Sequence, residues 1–181
     1  MSTKTVSNRN EPLIENRDQL VAAIAKGEKP KDRWRIGTEH EKFVYCRKNF
    51  NAPSYDEPGG IRDLLMALTE FGWSPVMEGD NVIAMSGPDG AVSLEPAGQL
   101  ELSGAPLENL HQTCAETGRH LAQVKAIGEK TGKGFLGMGL WPDKTREELP
   151  IMPKGRYAIM LRHMPRVGSM GLDMMLRTCT I

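Results

Sequence analysis

Two glutamates, Glu39 and Glu41, lie on either side of a histidine in the segment RIGTEHEKF. In a β-strand, side chains two residues apart point to the same face, so these carboxylates would share a surface and His40 would lie on the other. Like charges so placed repel each other unless a cation lies between them or one of them holds a proton. Mg²⁺ or Mn²⁺, which prefer oxygen ligands, would remove that repulsion. The pair therefore predicts a metal site, and the alternative is a solvated outer face, where spaced carboxylates cost little.

A second segment, SLEPAGQLELSGAP, again alternates polar with apolar residues. Gln99 and Glu101 are two residues apart, like the first pair, and Glu95 adds another acid nearby. Gly98 and Gly104 carry no side chain and would let a ligand approach the backbone closely. If the two strands are neighbours, three or four carboxylates converge, which favours the metal site over the solvated face.

Basic and imidazole side chains supply weaker candidates. Those that could hold a phosphate or a carboxylate are Lys42, Arg35, Lys154, Arg156, Arg162 and Arg177. Arg156 follows Pro153 in the segment MPKGRY, at the expected start of a helix, where anions are favoured. Its guanidinium could hold a carboxylate or a phosphate, although most arginines of a globular domain are simply solvated. His111 and His120 lie on one predicted helix at a spacing that matches no compact metal site, so structural roles are expected for both.

Composition excludes some classes of partner. Lysine plus arginine and aspartate plus glutamate are balanced at 23 each over 181 residues, so we expect no nucleic acid and no membrane as partner, and a small molecule instead. The three cysteines form no CxxC pair, which favours a reducing compartment. The polar start of the chain has no apolar core of a signal peptide. These features predict a cytoplasmic protein with a mobile leader over residues 1–14 and a single domain, or part of one, over residues 15–181.

The elements that must position these side chains are read from periodicity and turn residues. Four helices are predicted, over residues 16–27, 60–71, 106–132 and 154–164. Strands are predicted over residues 33–46, 81–85, 91–94 with a resumption at 99–103, 134–141 and 171–181. Hairpin-linked strands without regular crossover helices predict an α+β fold with a largely antiparallel sheet. Because the last strand would stop without a cap or a turn, we expect the N-terminal part of a longer protein.

The longest periodic segment is expected to be a main packing helix. Pro106 suits its first turn and Gly132 suits its end. One face of the helix is predicted to carry the apolar residues Leu107, Leu110, Cys114, Leu121 and Val124.

Six segments in order carry a family resemblance: RIGTEHEKF, MEGDN, SLEPAGQLELSGAPLENLHQTCAE, GFLGMG, MPKGRYAIM and MPRVGSMGLDMMLRTCT. Together they resemble glutamate–cysteine ligase of the plant and alphaproteobacterial type, over about residues 33–181. The resemblance implies a glutamine-synthetase-like fold, in which an antiparallel sheet is curved into a funnel with helices outside.

The resemblance also implies a reaction. ATP would phosphorylate the γ-carboxylate of L-glutamate, and the amine of L-cysteine would attack the acyl phosphate to give γ-glutamylcysteine, the first step of glutathione synthesis. Mg²⁺ or Mn²⁺ would offset the repulsion between ATP and the carboxylate. Alternatives are another carboxylate–amine ligase on the same scaffold, or a non-catalytic metal-binding or nucleotide-binding fragment. The resemblance also allows a homodimer.

Site residues follow from the resemblance position by position. Glu39 and Glu41 match metal-binding acids on the first strand, and Glu101 matches the acid on the facing strand. The remaining matches are expected to bind cofactor or substrate or to support those groups: Glu95, Gln99, Arg156, Thr178 and Thr180. Arg156 is expected to act in catalysis within the amino-acid pocket. The family continues beyond the RTCT segment, so residues 1–181 alone are expected to form an incomplete active site.

Overall fold

The structure, a computed structural model, describes residues 13–88 and 90–179. Six strands form one sheet in the order β2-β3-β4-β5-β1-β6, and every neighbouring pair is antiparallel. The strands are β1 Glu39–Cys46, β2 Ser74–Glu78, β3 Asn81–Gly87, β4 Gly90–Leu94, β5 Leu100–Ser103 and β6 Lys133–Leu136. The helices are α1 Arg17–Ala25, α2 Ile61–Ala67, α3 Leu110–Thr131, α4 Gly155–Val167 and α5 Gly171–Arg177. The predicted α+β class with an antiparallel sheet is confirmed.

Strand β1 lies between β5 and the edge strand β6, and it is shorter than predicted. It begins at Glu39, whereas the prediction placed its start at residue 33, because Lys31–Arg33 forms a 3₁₀ turn and Ile36 makes only an isolated bridge to Leu107. The partner strand β5 ends at Ser103, opposite Glu39, so the ladder has no further residues to pair. Apolar residues before the strand favoured extending it, but hydrogen-bond partners decide where a strand begins.

The segment Pro96-Ala97-Gly98 is a hairpin turn between two separate strands, and the prediction of one resumed strand is wrong. The backbone N–H of Glu95 donates to the backbone carbonyl oxygen of Gln99 at 2.9 Å, and the backbone N–H of Gly98 donates to the carbonyl oxygen of Glu95 at 3.0 Å. Gly98 has φ of 90°, which favours glycine. The turn folds β5 back beside β4, and β5 pairs on its other side with β1, which places the two acidic segments next to each other. Strand β2, which we did not predict, pairs with β3 on the far edge.

Helix α3 begins at Leu110, and Asn109 caps it by accepting a hydrogen bond from the backbone N–H of Gln112 at 3.1 Å. The predicted start at Pro106 is wrong because Leu107 is held by Ile36 through two backbone hydrogen bonds of 2.7 and 2.8 Å. The predicted end at Gly132 is confirmed, with φ of 70°.

The predicted apolar stripe of α3 is wrong in part. Leu110 is 72% exposed and Leu121 is 42% exposed, whereas Val124 is buried. The buried residues of the helix are Glu116, His120, Val124, Ile127 and Gly128. Polar residues enter this face because Glu116 accepts a hydrogen bond from the backbone N–H of Ala105 at 2.7 Å, a contact that periodicity does not reveal.

The segment predicted as a last strand is helix α5. Asp173 contacts Arg177 at 3.3 Å, one helical turn away, and also Arg146 at 3.2 Å. Met175 and Leu176 are buried in the core. Beyond the helix, an isolated bridge from Thr178 to Leu140 is the only strand-like pairing among the described residues of this segment.

The two faces of the sheet have different surroundings. Helix α3 lies so close to the sheet at Gly128 that a Cβ atom added there would meet the ring of Phe135. The helix therefore packs against the face that carries Phe135 and its register partner Val44. By alternation, His40 and Lys42 share this helical face. The opposite face carries Glu39, Glu41 and Phe43, and we call it the acidic face. In the described part of the chain, no helix is long and apolar enough to cross a membrane.

Candidate active site

Glu41 and Glu101 lie directly opposite each other on β1 and β5. Only 7% of Glu41 is exposed, and Glu101 is half-buried. The Ser103 hydroxyl donates a hydrogen bond of 2.7 Å to the carboxylate of Glu101, and Ser103 is in register with Glu39. The expectation that the two acidic segments are neighbours is therefore confirmed, and the carboxylates of Glu41 and Glu101 form the centre of the acidic face.

A divalent cation would suit this pair. Side chains directly opposite on antiparallel strands have Cβ atoms about 4.5–5.5 Å apart, where two negative charges are destabilising. Carboxylate and hydroxyl oxygens are hard ligands of the kind that Mg²⁺ and Mn²⁺ prefer. Mg²⁺ commonly uses one or two protein carboxylates and fills its other positions with water and phosphate oxygens. The donors present fit such an ion.

The structure does not bring the three predicted metal acids into one cluster. Between residues 13 and 179, leaving out the undescribed residue 89, no group of three or more His, Cys, Asp or Glu side chains is placed to hold a metal ion. Glu39 is exposed and lies one pleat from Glu41 along β1. The centre is thus a pair of acids, with Glu39 at its rim.

Glu95 lies just beyond β4 and links the acidic face to α4. Its carboxylate accepts a hydrogen bond of 3.1 Å from the Ser93 hydroxyl and one of 3.3 Å from Arg156. Burial raises the pKa of Glu95, as does the charge of Glu101, and the charges of Lys154 and Arg156 act in the opposite direction. The guanidinium of Arg156 is thereby held beside the acids, with 31% of its side chain exposed to meet an anion.

The start of α4 is anchored on β4. Lys154 donates to the carbonyl oxygen of Leu94 at 3.2 Å, and the Tyr157 hydroxyl donates to the same oxygen at 2.6 Å. Both side chains are buried, and burial lowers the pKa of Lys154. Lys154 was only a weak candidate for anion binding and Tyr157 was not one at all, because the sequence does not show which strand α4 docks on.

Gln99 is buried, and its side-chain amide forms hydrogen bonds with backbone groups. Its oxygen accepts from the N–H of Ala97 at 2.8 Å, and its nitrogen donates to the carbonyl oxygen of Thr178 at 2.8 Å. Of the two roles expected for Gln99, ligand or support, these bonds favour support. The Thr178 hydroxyl donates to Met174 at 2.5 Å. Thr180, also expected in the site, lies outside the described residues.

Lys42 was a weak candidate for phosphate binding, but it is buried on the helical face with 1% of its surface exposed. Its ammonium donates to the carbonyl oxygen of His40 at 2.6 Å and contacts the Nδ1 atom of the His40 ring at 2.9 Å. Burial lowers the pKa of Lys42 to about 8, and the charges of Glu41 and Glu101 act in the opposite direction. The alternation of β1 predicts this face for Lys42, but not its burial.

An aromatic cavity of about 250 Å³ opens on the acidic face at Phe43. Phe43, which follows Glu41 on the same face, meets the ring of Trp141 edge-on at 4.7 Å between centroids. The indole N–H of Trp141 donates to Asp143 at 3.0 Å. No local pattern in the sequence predicts this cavity, because its walls come from segments about a hundred residues apart.

These features define a class of protein, an α+β domain whose antiparallel sheet presents paired carboxylates beside a guanidinium. The model of glutamate-cysteine ligase family 2 (GCS2) matches residues 35–181. The chain belongs to this family.

Curated relatives support the same assignment. The chain is 56% identical over 172 residues to the chloroplastic glutamate–cysteine ligase of Brassica juncea, covering 94% of this chain and 32% of that protein. It is 53% identical over 180 residues to chloroplastic glutamate–cysteine ligase A of Oryza sativa subsp. japonica, covering 99% of this chain and 36% of the relative. The Arabidopsis thaliana chloroplastic enzyme is 55% identical over 172 residues, with 94% and 32% covered. The chain thus spans about a third of the length of these relatives.

The names of the relatives overturn one prediction. All three proteins are described as chloroplastic, so the prediction of a cytoplasmic location is contradicted. Balanced charge and sparse cysteines exclude nucleic-acid and disulfide-rich classes, but they do not distinguish one reducing compartment from another.

Proposed function

We propose that this chain is part of an ATP-dependent ligase that joins the γ-carboxylate of L-glutamate to the amine of L-cysteine through a γ-glutamyl phosphate, the first step of glutathione synthesis. The observation that carries the proposal is the opposed pair Glu41 and Glu101 within the matched region. Because the chain spans about a third of its relatives, the activity and its substrates are proposed for the protein as a whole. A glutamine-synthetase-like architecture is proposed with it.

The residues of the acidic face have separate tasks in this proposal. Glu41 and Glu101 would hold Mg²⁺ or Mn²⁺, with Glu39 at the rim, and the ion would neutralise charge on the phosphates of ATP. Arg156 would hold a carboxylate of the glutamate substrate, since a guanidinium binds carboxylates through paired N–H groups. Glu95 orients Arg156 through their 3.3 Å contact.

Other residues of the proposal position the acids or line the site. Gln99 joins the turn before β5 to the backbone at Thr178, which keeps Glu101 facing β1. Thr178 and Thr180 remain proposed parts of the amino-acid pocket.

Metal titration tests the acid pair. We expect Glu41→Gln and Glu101→Gln each to weaken Mn²⁺ binding by about tenfold or more in calorimetry, because one carboxylate then remains to bind the ion. Both variants should keep the fold, since the repulsion between the acids does not contribute core packing. Glu129→Gln, on an exposed part of α3, is the matched control and should bind as the wild type does. Binding by both site variants within about twofold of the wild type would exclude the pair as a metal site.

Phosphate release tests the reaction. With Mg²⁺-ATP, phosphate release by the uninterrupted protein should require both glutamate and cysteine, because the cysteine amine displaces phosphate from the acyl phosphate. Release that ignores cysteine would contradict the proposal.

A panel of amines separates the proposal from its main alternative, another carboxylate–amine ligase on the same scaffold. Faster release with an amine other than cysteine would favour that alternative. A chain that binds metal or nucleotide but releases no phosphate with any amine would be a binding fragment.

A further inference from the structure

Lys42 is a buried cation directly beneath the acid pair. It follows Glu41 on β1, and its register partner is Leu100, the residue next to Glu101. The side chain points to the helical face, opposite to the carboxylates. Its Nζ atom then turns back to the oxygen of the peptide bond that joins His40 to Glu41, at 2.6 Å. The ammonium therefore lies against the backbone of Glu41 on the far side of the sheet.

The groups that contact the ammonium are a peptide oxygen at 2.6 Å and the Nδ1 atom of the His40 ring at 2.9 Å. From α3, His120 faces the same region, and its imidazole is neutral because burial lowers its pKa to about 3. The carboxylate of Glu116, one turn earlier, is directed at the backbone of Gly104 and Ala105.

We propose that Lys42 is the internal counter-ion of the Glu41–Glu101 pair and acts as a positioning residue. One layer of backbone separates its positive charge from the two carboxylates. The charge offsets the repulsion between the carboxylates before any metal binds. The same charge repels an incoming divalent cation and so lowers the metal affinity of the site below the affinity that the same two carboxylates would have without Lys42. This inference rests on the proposed function, since it assumes that the pair binds metal.

The test compares two buried lysines of the helical face. Lys42→Met removes the charge and keeps an unbranched apolar stem. Lys133→Met is the matched control, because Lys133 is also buried on that face but is paired with Glu57 at 3.3 Å, away from the acids. In calorimetric titration with Mn²⁺, we expect Lys42→Met to bind about three- to tenfold more tightly than the wild type, by Coulomb's law at an effective dielectric constant between protein and water. Lys133→Met should bind as the wild type does.

A second variant covers the case in which Lys42→Met does not fold. If the lysine balances the acids, removal of one acid should compensate, and Lys42→Met combined with Glu101→Gln should fold and show a cooperative thermal transition. If the double variant also fails to fold, Lys42 serves packing alone and the inference is wrong.

Two further results would separate this inference from the proposed function. In the first, Glu41→Gln and Glu101→Gln lose Mn²⁺ affinity, but Lys42→Met binds Mn²⁺ as the wild type does or more weakly. That result overturns the counter-ion role of Lys42 and leaves the metal site standing. Unchanged binding in all three variants overturns the metal site itself, and the inference with it.

Discussion

The burial of His120 makes the stability of this fold sensitive to acid. The imidazole is 2% exposed, and neither ring nitrogen has a hydrogen-bond partner in the described part of the structure. Burial lowers the pKa of His120 to about 3, and the charges of Lys42 and His40 act in the same direction. In the unfolded chain the ring has a pKa of about 6.5. Between these two values the unfolded state binds a proton that the folded state does not.

The sign and size of the effect follow from that difference. Because the unfolded state binds more protons, stability rises with pH, is fully present above about pH 6.5, and falls as the pH drops towards 3. At pH 5, protonation of the unfolded state alone removes about 2 kcal/mol of the free energy of unfolding, from RT ln(1 + 10^1.5). A loss of that size is a large fraction of the stability of a typical domain.

Urea unfolding of the wild type and of His120→Leu measures this effect. We expect the free energy of unfolding of the wild type to fall by about 2 kcal/mol more than that of the variant between about pH 7.5 and pH 5. His111→Leu, at an exposed position on the same helix, is the control and should follow the wild type. Equal losses in the wild type and His120→Leu would refute the argument, because His120 would then take up its proton equally in both states.

Two further predictions concern packing. Gln99→Leu should lower the free energy of unfolding by roughly 2–4 kcal/mol, because it leaves buried backbone groups at Ala97 and Thr178 without partners, and thermal unfolding that matches the wild type would contradict this. On α3, Ile127→Ala should cost about 2–4 kcal/mol in urea unfolding, whereas Leu110→Ala should change stability by less than about 0.5 kcal/mol. Similar costs for both would mean that the apolar stripe predicted from periodicity is the packing face after all.

Local signals were reliable where neighbouring residues alone set the structure. The first predicted helix starts at residue 16, where Asn16 caps α1 by accepting a hydrogen bond of 3.0 Å from the backbone N–H of Gln19. Gly132 ends α3 in a left-handed conformation, as predicted. In each case a few adjacent residues supply both the conformational preference and the hydrogen bonds that satisfy it.

Contacts between distant segments decided the rest. The buried face of α3 includes Glu116 because Ala105, outside the helix, supplies a donor for its carboxylate. The last predicted strand is helical, with Asp173 held by Arg146 from another segment. The sequence predicts Gln99 only as a polar residue on a strand. Its role in supporting the turn before β5 depends on the segment at Thr178, whose carbonyl oxygen accepts a hydrogen bond from the Gln99 amide.

The acid pair shows the same division. The spacing of Glu39 and Glu41 established that two carboxylates share one face of a strand, because alternation is a property of the extended backbone. The resemblance in sequence added the match of Glu101. Only the tertiary structure decided that Glu101 lies opposite Glu41, that Glu39 remains at the rim, and that a lysine lies beneath the pair. Register and burial depend on which strands pair and what packs on them, and those are long-range contacts that no local pattern specifies.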